Sequence, residues 1–357
     1  MEFSIQDILE IAVNAPSGHN CQPWKFLVRD GILYIWNVPE KDKTLFNYNQ
    51  RGSLTAQGAL IENIAIAASR NGYKSEIELF PQNDDPDLVA RVKFTSSTEK
   101  YFYEYLFPYI TKRTTNRRIY KLSHLTENDR LEIEKHIELE TQAQDTIVIV
   151  SDKKSIYEAA QLFSVGDRVL FDNFYLHKAL FSVVNWTISE EKSRREGLFV
   201  GTKELPLPIR MIFKHLISNW NLMSKLSVLD LPSKMAKKRE SLYNHSSAIG
   251  VVVAAGNSAS DFVNTGRVLQ RLWLKVTSLG ISFQPISIGL LYLGQQLQKE
   301  QPEEITNEQR SYVVNAYNGI MDLFRLGNKT PTFSFRIGYS EPPTASSLKK
   351  PPEIVSA

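Results

Sequence analysis

Hydrophobic positions along the chain recur at two spacings, and each spacing predicts a different element. Apolar residues three and four positions apart predict helices, which cover residues 5–13, 53–71, 126–137, 154–186 and 264–280. Short alternating or β-branched runs predict strands, which cover residues 25–28, 32–36, 77–80, 88–94, 146–150, 248–255 and 332–338. The order helix, glycine, strand occurs once in each half. This order suggests a duplicated unit, although no exact repeat is visible.

A long segment between the helical pattern at 154–186 and the strand at 248–255 interrupts this order. It begins and ends with charged stretches, at 190–196 and 234–239. Between them, apolar residues at helical spacing are Ile209, Ile212, Phe213, Leu216, Ile217 and Trp220. We expect an inserted helical pair over 189–244 that covers the body of the protein, as lids do. A helix lying on a membrane surface is the alternative, because basic flanks and a tryptophan-bearing apolar face permit it.

Composition narrows the class of protein. A chain of 357 residues with 42% hydrophobic and 23% charged residues fits a soluble protein of one large or two smaller domains. A net charge of +3 is too small to favour a nucleic-acid partner. The apolar run at 248–255 is too short to span a bilayer, so we expect no stable membrane insertion.

The numbers and positions of cysteine and histidine residues narrow the class of protein further. Cys21 is the single cysteine, which excludes an internal disulfide and favours a reducing compartment. The first ten residues have no cationic start typical of a signal peptide. We therefore expect a cytoplasmic protein. The six histidines lack the spacing of metal ligands, so we expect no metal site.

The string Lys112 to Arg118 is suited to binding a phosphate. Arg113, Thr115 and Arg117 alternate, so in extended backbone their side chains project to one side. A hydroxyl between two guanidiniums matches a phosphate, because each planar guanidinium gives paired contacts. The alternative is a basic loop whose arginines are solvated or pair with surface acids.

A second string, Ala15 to Trp24, contains a turn of small and hydrogen-bonding residues. Its core is Pro16, Ser17, Gly18, His19 and Asn20. The Asn20 amide can donate and accept hydrogen bonds, as the edge of a flavin ring requires. The alternative is a plain helix-terminating turn, which needs proline, serine and glycine in any case. For Cys21 we expect a small packing residue and no nucleophile.

These strings resemble the motifs of the nitroreductase family, FMN-dependent NAD(P)H oxidoreductases that normally work as homodimers. Residues 15–24 are similar to the family's entry motif, and residues 113–117 to its phosphate motif. Residues 279–286 resemble the segment whose backbone lies under the flavin ring, and 336–351 resemble the final strand and its basic end. The arrangement of two fused units with an insertion is most similar to the Acg-like branch of this family. Residues 58–63 and 86–92 also resemble segments of that branch.

The resemblance implies an α+β fold with two fused half-units, each with a mainly antiparallel sheet flanked by helices. In typical members the phosphate motif precedes the proline–serine turn, whereas here it follows. We therefore expect a degenerate first half at 1–105, which supplies the turn that contacts the ring. The second half at 106–357 supplies the phosphate clamp and carries the 189–244 lid. Such a chain would be a monomeric pseudo-dimer with one FMN.

The resemblance also implies roles for particular residues. Arg113, Thr115, Arg117 and Lys349 would hold the phosphate. The turn from Pro16 to Asn20 would contact the ring from the other half, with His19 within reach of the ring edge. The backbone at Pro285, Ile286 and Ser287 would face the ring. Many active members have Glu-Gly where this chain has Ser287-Ile288, and no side chain is assigned a catalytic role.

The expected function is transfer of electrons from NAD(P)H through FMN to a nitroaromatic, quinone or similar acceptor. Because the chain has no Gly-x-Gly-x-x-Gly motif, NAD(P)H would stack transiently on the flavin. One alternative is a flavin-storage protein whose lid covers the FMN and prevents turnover. Another is a regulatory or binding module without flavin.

Overall fold

The computed structural model describes residues 4–142, 146–226 and 229–356. The helices are α1 (Ile5–Ala12), α2 (Arg51–Arg70), α3 (Glu127–Gln142), α4 (Lys153–Asp172), α5 (Phe174–Ser182), α6 (Ile188–Arg194), α7 (Leu207–Ile212), α8 (Trp220–Leu226), α9 (Leu231–Asn244), α10 (Ala259–Ser278), α11 (Ile288–Leu297) and α12 (Asn307–Leu323). The strands are β1 (Trp24–Arg29), β2 (Ile32–Asn37), β3 (Tyr73–Leu79), β4 (Leu88–Ser96), β5 (Thr146–Val150), β6 (Val184–Asn185), β7 (Leu198–Phe199), β8 (Ala248–Ala254), β9 (Ser282–Pro285), β10 (Thr330–Gly338) and β11 (Ile354–Ser356).

Within these residues the strands form two main sheets. The first has the order β11-β1-β2-β4-β3, and the second has the order β5-β8-β10-β9. Neighbouring strands are antiparallel throughout, except that β11 runs parallel to β1, with Phe26 opposite Ile354. A short parallel pair, β6-β7, lies outside both sheets. The predicted α+β class, with mainly antiparallel sheets and flanking helices, is confirmed.

Two long helices join the sheets. Helix α2 packs against strands of the first sheet, α10 packs against strands of the second, and the two helices pack against each other. Small residues allow this close packing: residues 53–69 of α2 include five alanines and a glycine, and all of them are buried. Helix α10 begins earlier than the apolar spacing predicted, because Ser258 and Asp261 form a capping box at its start.

Local capping also explains where the helical pattern at 154–186 divides. Asn173 has the extended backbone angles φ −117° and ψ 126°, which end α4. Its side chain then accepts a hydrogen bond from the Leu176 amide and caps α5. The sequence left one or two helices open here, and the structure has two.

The insertion at 189–244 is largely helical, with α7, a π-helical turn, α8 and α9 after the short α6. Helix α9 packs along α4. The predicted apolar face is only partly covered: Ile217 is buried, whereas Ile209 and Ile212 are exposed. None of the helices among the described residues is long and apolar enough to cross a membrane.

The C-terminal tail crosses from one half of the molecule to the other. Strand β10 belongs to the second sheet, yet β11 at residues 354–356 pairs with β1 of the first sheet. The segment between them, residues 339–353, therefore runs past the junction of the two halves. Residues 106–357, the expected second half, therefore contribute a strand to the first sheet.

Candidate functional site

A cavity of about 370 Å³ lies where the two halves and the insertion meet. Its volume falls in the range typical of small-molecule sites, about 300–1,000 Å³. Eleven of the predicted site residues line it, namely Pro16, Ser17, Gly18, His19, Asn20, Arg113, Thr115, Arg117, Pro285, Ser287 and Lys349. Ile286 does not line it: the residue is buried, and its amide donates to the Ser334 carbonyl at 3.0 Å. The structure thus brings the two separated sequence strings together.

The turn at one wall of the cavity has an unusual backbone. His19, Asn20 and Gln22 have φ angles of 47°, 60° and 49°, in the left-handed region. The Ser17 hydroxyl accepts a hydrogen bond from the Gln22 amide at 3.0 Å, which closes the turn. The Gln22 side chain then donates to the Arg195 carbonyl of the insertion at 2.8 Å. Strained backbone held this firmly is typical of functional sites.

Asn20 and Lys349 connect this turn to the C-terminal tail. The Lys349 ammonium donates to the Asn20 Oδ1 atom and to the Ala15 carbonyl, at 2.8 Å each. The Asn20 Nδ2 atom donates to the Leu348 carbonyl at 2.9 Å. Both ends of the Asn20 amide thus contact the tail, and its contact with a ring edge stays a prediction. Burial, with Arg113 nearby, lowers the pKa of Lys349 to about 7.

Arg113 is anchored on two sides. Its guanidinium lies over the Trp273 ring, 4.4 Å from the centroid, and its Nη2 atom donates to the Asn14 carbonyl at 2.9 Å. Burial lowers the pKa of Arg113 to about 10, so the side chain remains charged at neutral pH. Its buried Nε atom has no hydrogen-bond partner among the described residues. A fixed cation with an unused donor is suited to binding an anion.

Asn116 orients the rest of the predicted phosphate-binding string, residues 113–117. The Asn116 amide donates to the Phe283 carbonyl of β9 at 3.0 Å, and its side chain donates to the Ser282 hydroxyl at 2.9 Å. Asn116 therefore faces away from the cavity, while Thr115 and Arg117 line it. The predicted alternation thus holds for Arg113, Thr115 and Arg117, although Thr114 lines the cavity as well.

The insertion adds two cations that the sequence analysis missed. Lys203 and Arg239 both line the cavity. The Arg239 Nε atom lies 3.1 Å from the Asp167 carboxylate of α4. Burial, with Arg117 and Arg239 nearby, lowers the pKa of Lys203 to about 7. A signal for Arg239 was present, because Ala236 and Tyr243 lie three and four residues away and share its helix face.

The opposite wall is the start of α11. Ser287 has a φ angle of 43°, and its hydroxyl donates to the Phe163 carbonyl at 2.6 Å. Gly166 on α4 permits this approach, because a Cβ atom there would lie 3.0 Å from the Ser287 side chain. The first amides of a helix lack acceptors within the helix. Residues 287–290 line the cavity, so the Ile288 and Gly289 amides lie at its wall, whereas the Leu290 amide donates to the Ser287 carbonyl at 2.9 Å.

Positive charge exceeds negative charge around this cavity. Among the described lining residues, the cations are Arg113, Arg117, Lys203, Arg239 and Lys349, and the carboxylates are Asp42 and Asp167. The described residues contain no group of three or more His, Cys, Asp or Glu side chains that could hold a metal. Beside the cavity, burial raises the pKa of the Cys21 thiol to about 12. The site is therefore suited to an anionic organic ligand, and Cys21 stays a protonated packing residue.

No family model matches this chain. "Uncharacterized protein MT1398" of Mycobacterium tuberculosis is 24% identical over 290 residues, which are 80% of this chain and 39% of that protein. "Putative NAD(P)H nitroreductase acg" of the same organism is 29% identical over 93 residues, 26% of this chain and 28% of that protein. "Putative NAD(P)H nitroreductase MT3217", also from this organism, is 25% identical over 117 residues, 33% of this chain and 34% of that protein.

A solved nitroreductase with bound FMN from Bacteroides fragilis NCTC 9343 aligns with 69% of this chain and 93% of its own, at 13% identity and a TM-score of 0.35. The matched segments span 28% to 39% of the lengths of the three curated relatives. Two of these relatives are named as NAD(P)H nitroreductases, which confirms what the two motifs predicted: this chain is similar to the nitroreductase-like proteins.

Proposed function

We propose that the chain binds one FMN in the cavity between its halves and transfers electrons from NAD(P)H to a small acceptor such as a nitroaromatic or a quinone. The observation that carries the proposal is the meeting of the 16–20 turn with the 113–117 string in one positively charged cavity. When bound, FMN supplies the hydride and electron chemistry that side chains lack. We further infer that the protein acts as a monomeric pseudo-dimer in the cytoplasm.

The residues present fit the phosphate of such a cofactor. The Arg113 guanidinium is fixed on Trp273, and its buried Nε donor is unused among the described residues. The Thr115 side chain and the Lys349 ammonium complete the clamp. Two partly buried cations are costly without an anion, so phosphate binding would offset the desolvation of both groups.

The remaining walls would orient the ring and exclude water. The turn at 16–20 comes from the first half, and the segment at 285–287 comes from the second. Amides at the start of α11 would donate to oxygens at the ring edge, as helix starts do to anions and dipoles. No protein acid or base is required at the reacting atoms in this proposal.

A flavin-storing protein with little turnover is the second candidate function. It is favoured by the contacts through which the insertion holds the tail. The Glu191 carboxylate accepts from the Leu348 amide at 2.6 Å, and Glu196 lies 2.8 Å from the Lys41 ammonium and also pairs with Lys350. These contacts hold the insertion against the tail; in this candidate function they would keep it over the cavity and restrict the entry of NAD(P)H.

One purification tests the proposal. The protein should be yellow and release one equivalent of FMN on heating, and anaerobic NADPH or NADH should bleach the flavin band within seconds. Colour that persists for minutes would favour storage. A colourless protein that also fails to take up added FMN would contradict both functions.

Variants test the clamp directly. Arg113→Ala combined with Lys349→Ala should give colourless protein, since both cations of the phosphate clamp are lost. The matched control is Arg118→Ala, because Arg118 lies next to the string but donates to the Pro342 carbonyl and does not line the cavity. A double variant that stays yellow would show that the phosphate binds elsewhere.

A further inference from the structure

The cations of the cavity form two groups. Arg113 and Lys349 belong to the phosphate clamp, and the charge of Arg113 acts on the pKa of Lys349. Arg117, Lys203 and Arg239 form a second group, which we call the insert cluster. The charges of Arg117 and Arg239 act on the pKa of Lys203. One anionic group therefore does not account for all five cations.

The insert cluster is held in place by surrounding contacts. The Arg117 Nη1 atom donates to the Thr202 carbonyl at 3.3 Å, which positions it next to Lys203. Asp167 accepts from Arg239 at 3.1 Å and from the Tyr243 hydroxyl at 3.3 Å. These contacts are built from α4, α9 and the string at 113–117, so the cluster is a defined part of the wall.

The cluster lacks enough negative charge to balance it. Asp167 is the carboxylate that pairs with Arg239, whereas the Lys203 ammonium has no hydrogen bond or ion pair among the residues that the structure describes. Burial of such an ammonium is unfavourable without a partner. An anionic oxygen group brought by a ligand would supply that partner.

The walls around the cluster indicate the rest of the ligand. Leu170, Leu198, Tyr243, Phe46 and Ile288 line the same cavity. These side chains give an apolar surface on which a flat body can pack. A ligand that satisfies both features carries one carboxylate on an aromatic body.

We propose that the insert cluster of Arg117, Lys203 and Arg239 binds the carboxylate of an aromatic acid that serves as the electron acceptor. This inference rests on the proposed function for the neighbouring flavin. It assigns the insertion a role in choosing the substrate, since two of the three cations come from it. Neutral acceptors of the same shape would bind more weakly.

The test compares 4-nitrobenzoate with nitrobenzene on the purified full chain. Calorimetry and the perturbation of the flavin spectrum give the two dissociation constants. We expect 4-nitrobenzoate to bind at least tenfold more tightly. Lys203→Gln and the double variant with Arg239→Gln should reduce this preference to less than threefold and leave nitrobenzene binding unchanged. A third measurement adds inorganic phosphate at the same concentration as 4-nitrobenzoate. The phosphate should not displace 4-nitrobenzoate from the site.

The matched control is Lys237→Gln, an exposed lysine on the same helix as Arg239, which should keep the full preference. The single variant Lys203→Gln keeps the test valid if loss of Arg239 prevents folding. A yellow protein without carboxylate preference would overturn the inference and leave the proposed function intact. A flavin-free protein that still shows the Lys203-dependent preference would overturn both the proposed function and the acceptor role, and leave only a carboxylate-binding site. Loss of FMN from Lys203→Gln with preference unchanged would assign the cluster to the flavin and also overturn the inference.

Discussion

Gly58 of α2 and Gly266 of α10 face each other where the two helices cross. A Cβ atom on Gly58 would lie 1.9 Å from the Val263 carbonyl oxygen, and one on Gly266 would lie 2.0 Å from the Thr55 carbonyl oxygen. Each glycine is the eighth residue of a twenty-residue helix, and each carbonyl belongs to the fifth. Reciprocal contacts of this kind are typical of two-fold interfaces. They support the proposal that two related halves are fused.

Gly58→Ala should destabilise the protein, although alanine favours helices over glycine by roughly 1 kcal/mol. The new methyl would overlap the Val263 carbonyl, so α2 and α10 must separate. We expect a loss of about 1–3 kcal/mol in the free energy of unfolding, the usual cost of overpacking. Urea denaturation followed by circular dichroism measures it.

Gly319→Ala on α12 is the control for this prediction. Its Cβ atom would meet the Leu162 Cδ2 atom at 2.6 Å, and the end of a leucine side chain can move aside. It should therefore change the unfolding free energy much less than Gly58→Ala. Equal effects of the two substitutions would show that the crossing of α2 and α10 is not especially tight.

Arg271→Met should be strongly destabilising, because Arg271 bridges two fully buried carboxylates. Its guanidinium lies 3.0 Å from Glu62 on α2 and 2.6 Å from Glu140 on α3. Removing one partner of a buried ion pair costs about 3–5 kcal/mol. Thermal and urea unfolding measure the loss. Arg130→Met is the matched control, since Arg130 bridges Glu127 and Glu134 at the surface, where its loss should cost far less than the loss of Arg271.

The same network of ion pairs around Arg271 should make the stability of the fold depend on pH in the acid range. Burial alone would raise the pKa of Glu62, but Arg271 and Arg267 outweigh it and hold the pKa below its ordinary value. A carboxyl of this kind stabilises the fold above its unfolded pKa and loses that contribution as pH falls through its folded pKa. Arg271→Met should therefore flatten the loss of stability in acid. An unchanged acid profile would contradict this account.

Local signals in the sequence predicted many of the regular elements but gave no prediction for α11, α12 or β9. The strand expected at 146–150 is β5, and the helix expected at 53–71 is α2 within two residues. Both have strong apolar patterns that need no distant partner. Strand β11 carried no such signal, because three residues at 354–356 form a strand only by pairing with β1. Its position depends on tertiary contacts that a sequence pattern does not contain.

The candidate site likewise combines residues that local sequence signals predicted with residues that only tertiary contacts bring there. Residues 16–20 and 113–117 were found because each string carries its chemistry within a few positions. Lys203 and Arg239 were missed because charged stretches in an insertion usually face solvent. Only the packing of α9 on α4 brings Arg239 to the cavity. The contact of Asn20 with the tail could not be predicted, because Leu348 lies more than three hundred residues away in sequence.

His136 should make the fold sensitive to mild acid. It is buried on α3, and burial lowers its pKa to about 4. Below pH 6.5 the unfolded chain gains a proton that the folded protein does not, so stability should fall by up to about 1.4 kcal/mol per pH unit down to about pH 4. Unfolding free energies at pH 7.5, 6.0 and 5.0 measure the slope. His136→Gln should remove most of it, whereas His124→Gln, an exposed control, should leave the slope unchanged.

Lys349 should make FMN affinity depend on pH. Its pKa is about 7 without an anion, because burial and the Arg113 charge disfavour the ammonium. The FMN phosphate favours the charged form, so binding takes up a proton once the lysine is neutral. Above pH 7 the affinity should therefore fall up to tenfold per pH unit, while the phosphate itself stays doubly charged. Fluorescence titration of the flavin-free protein from pH 6.5 to 9 measures this slope.

Two variants separate Lys349 from the other lysine of the cavity. Lys349→Arg should flatten the profile, because an arginine stays charged throughout this range. Lys203→Gln should leave the slope in place, since Lys203 belongs to the insert cluster and not to the phosphate clamp. A slope that persists in Lys349→Arg but disappears in Lys203→Gln would reverse the assignment. The phosphate would then bind at the insertion, and the tail lysine would serve only to hold Asn20 and the turn.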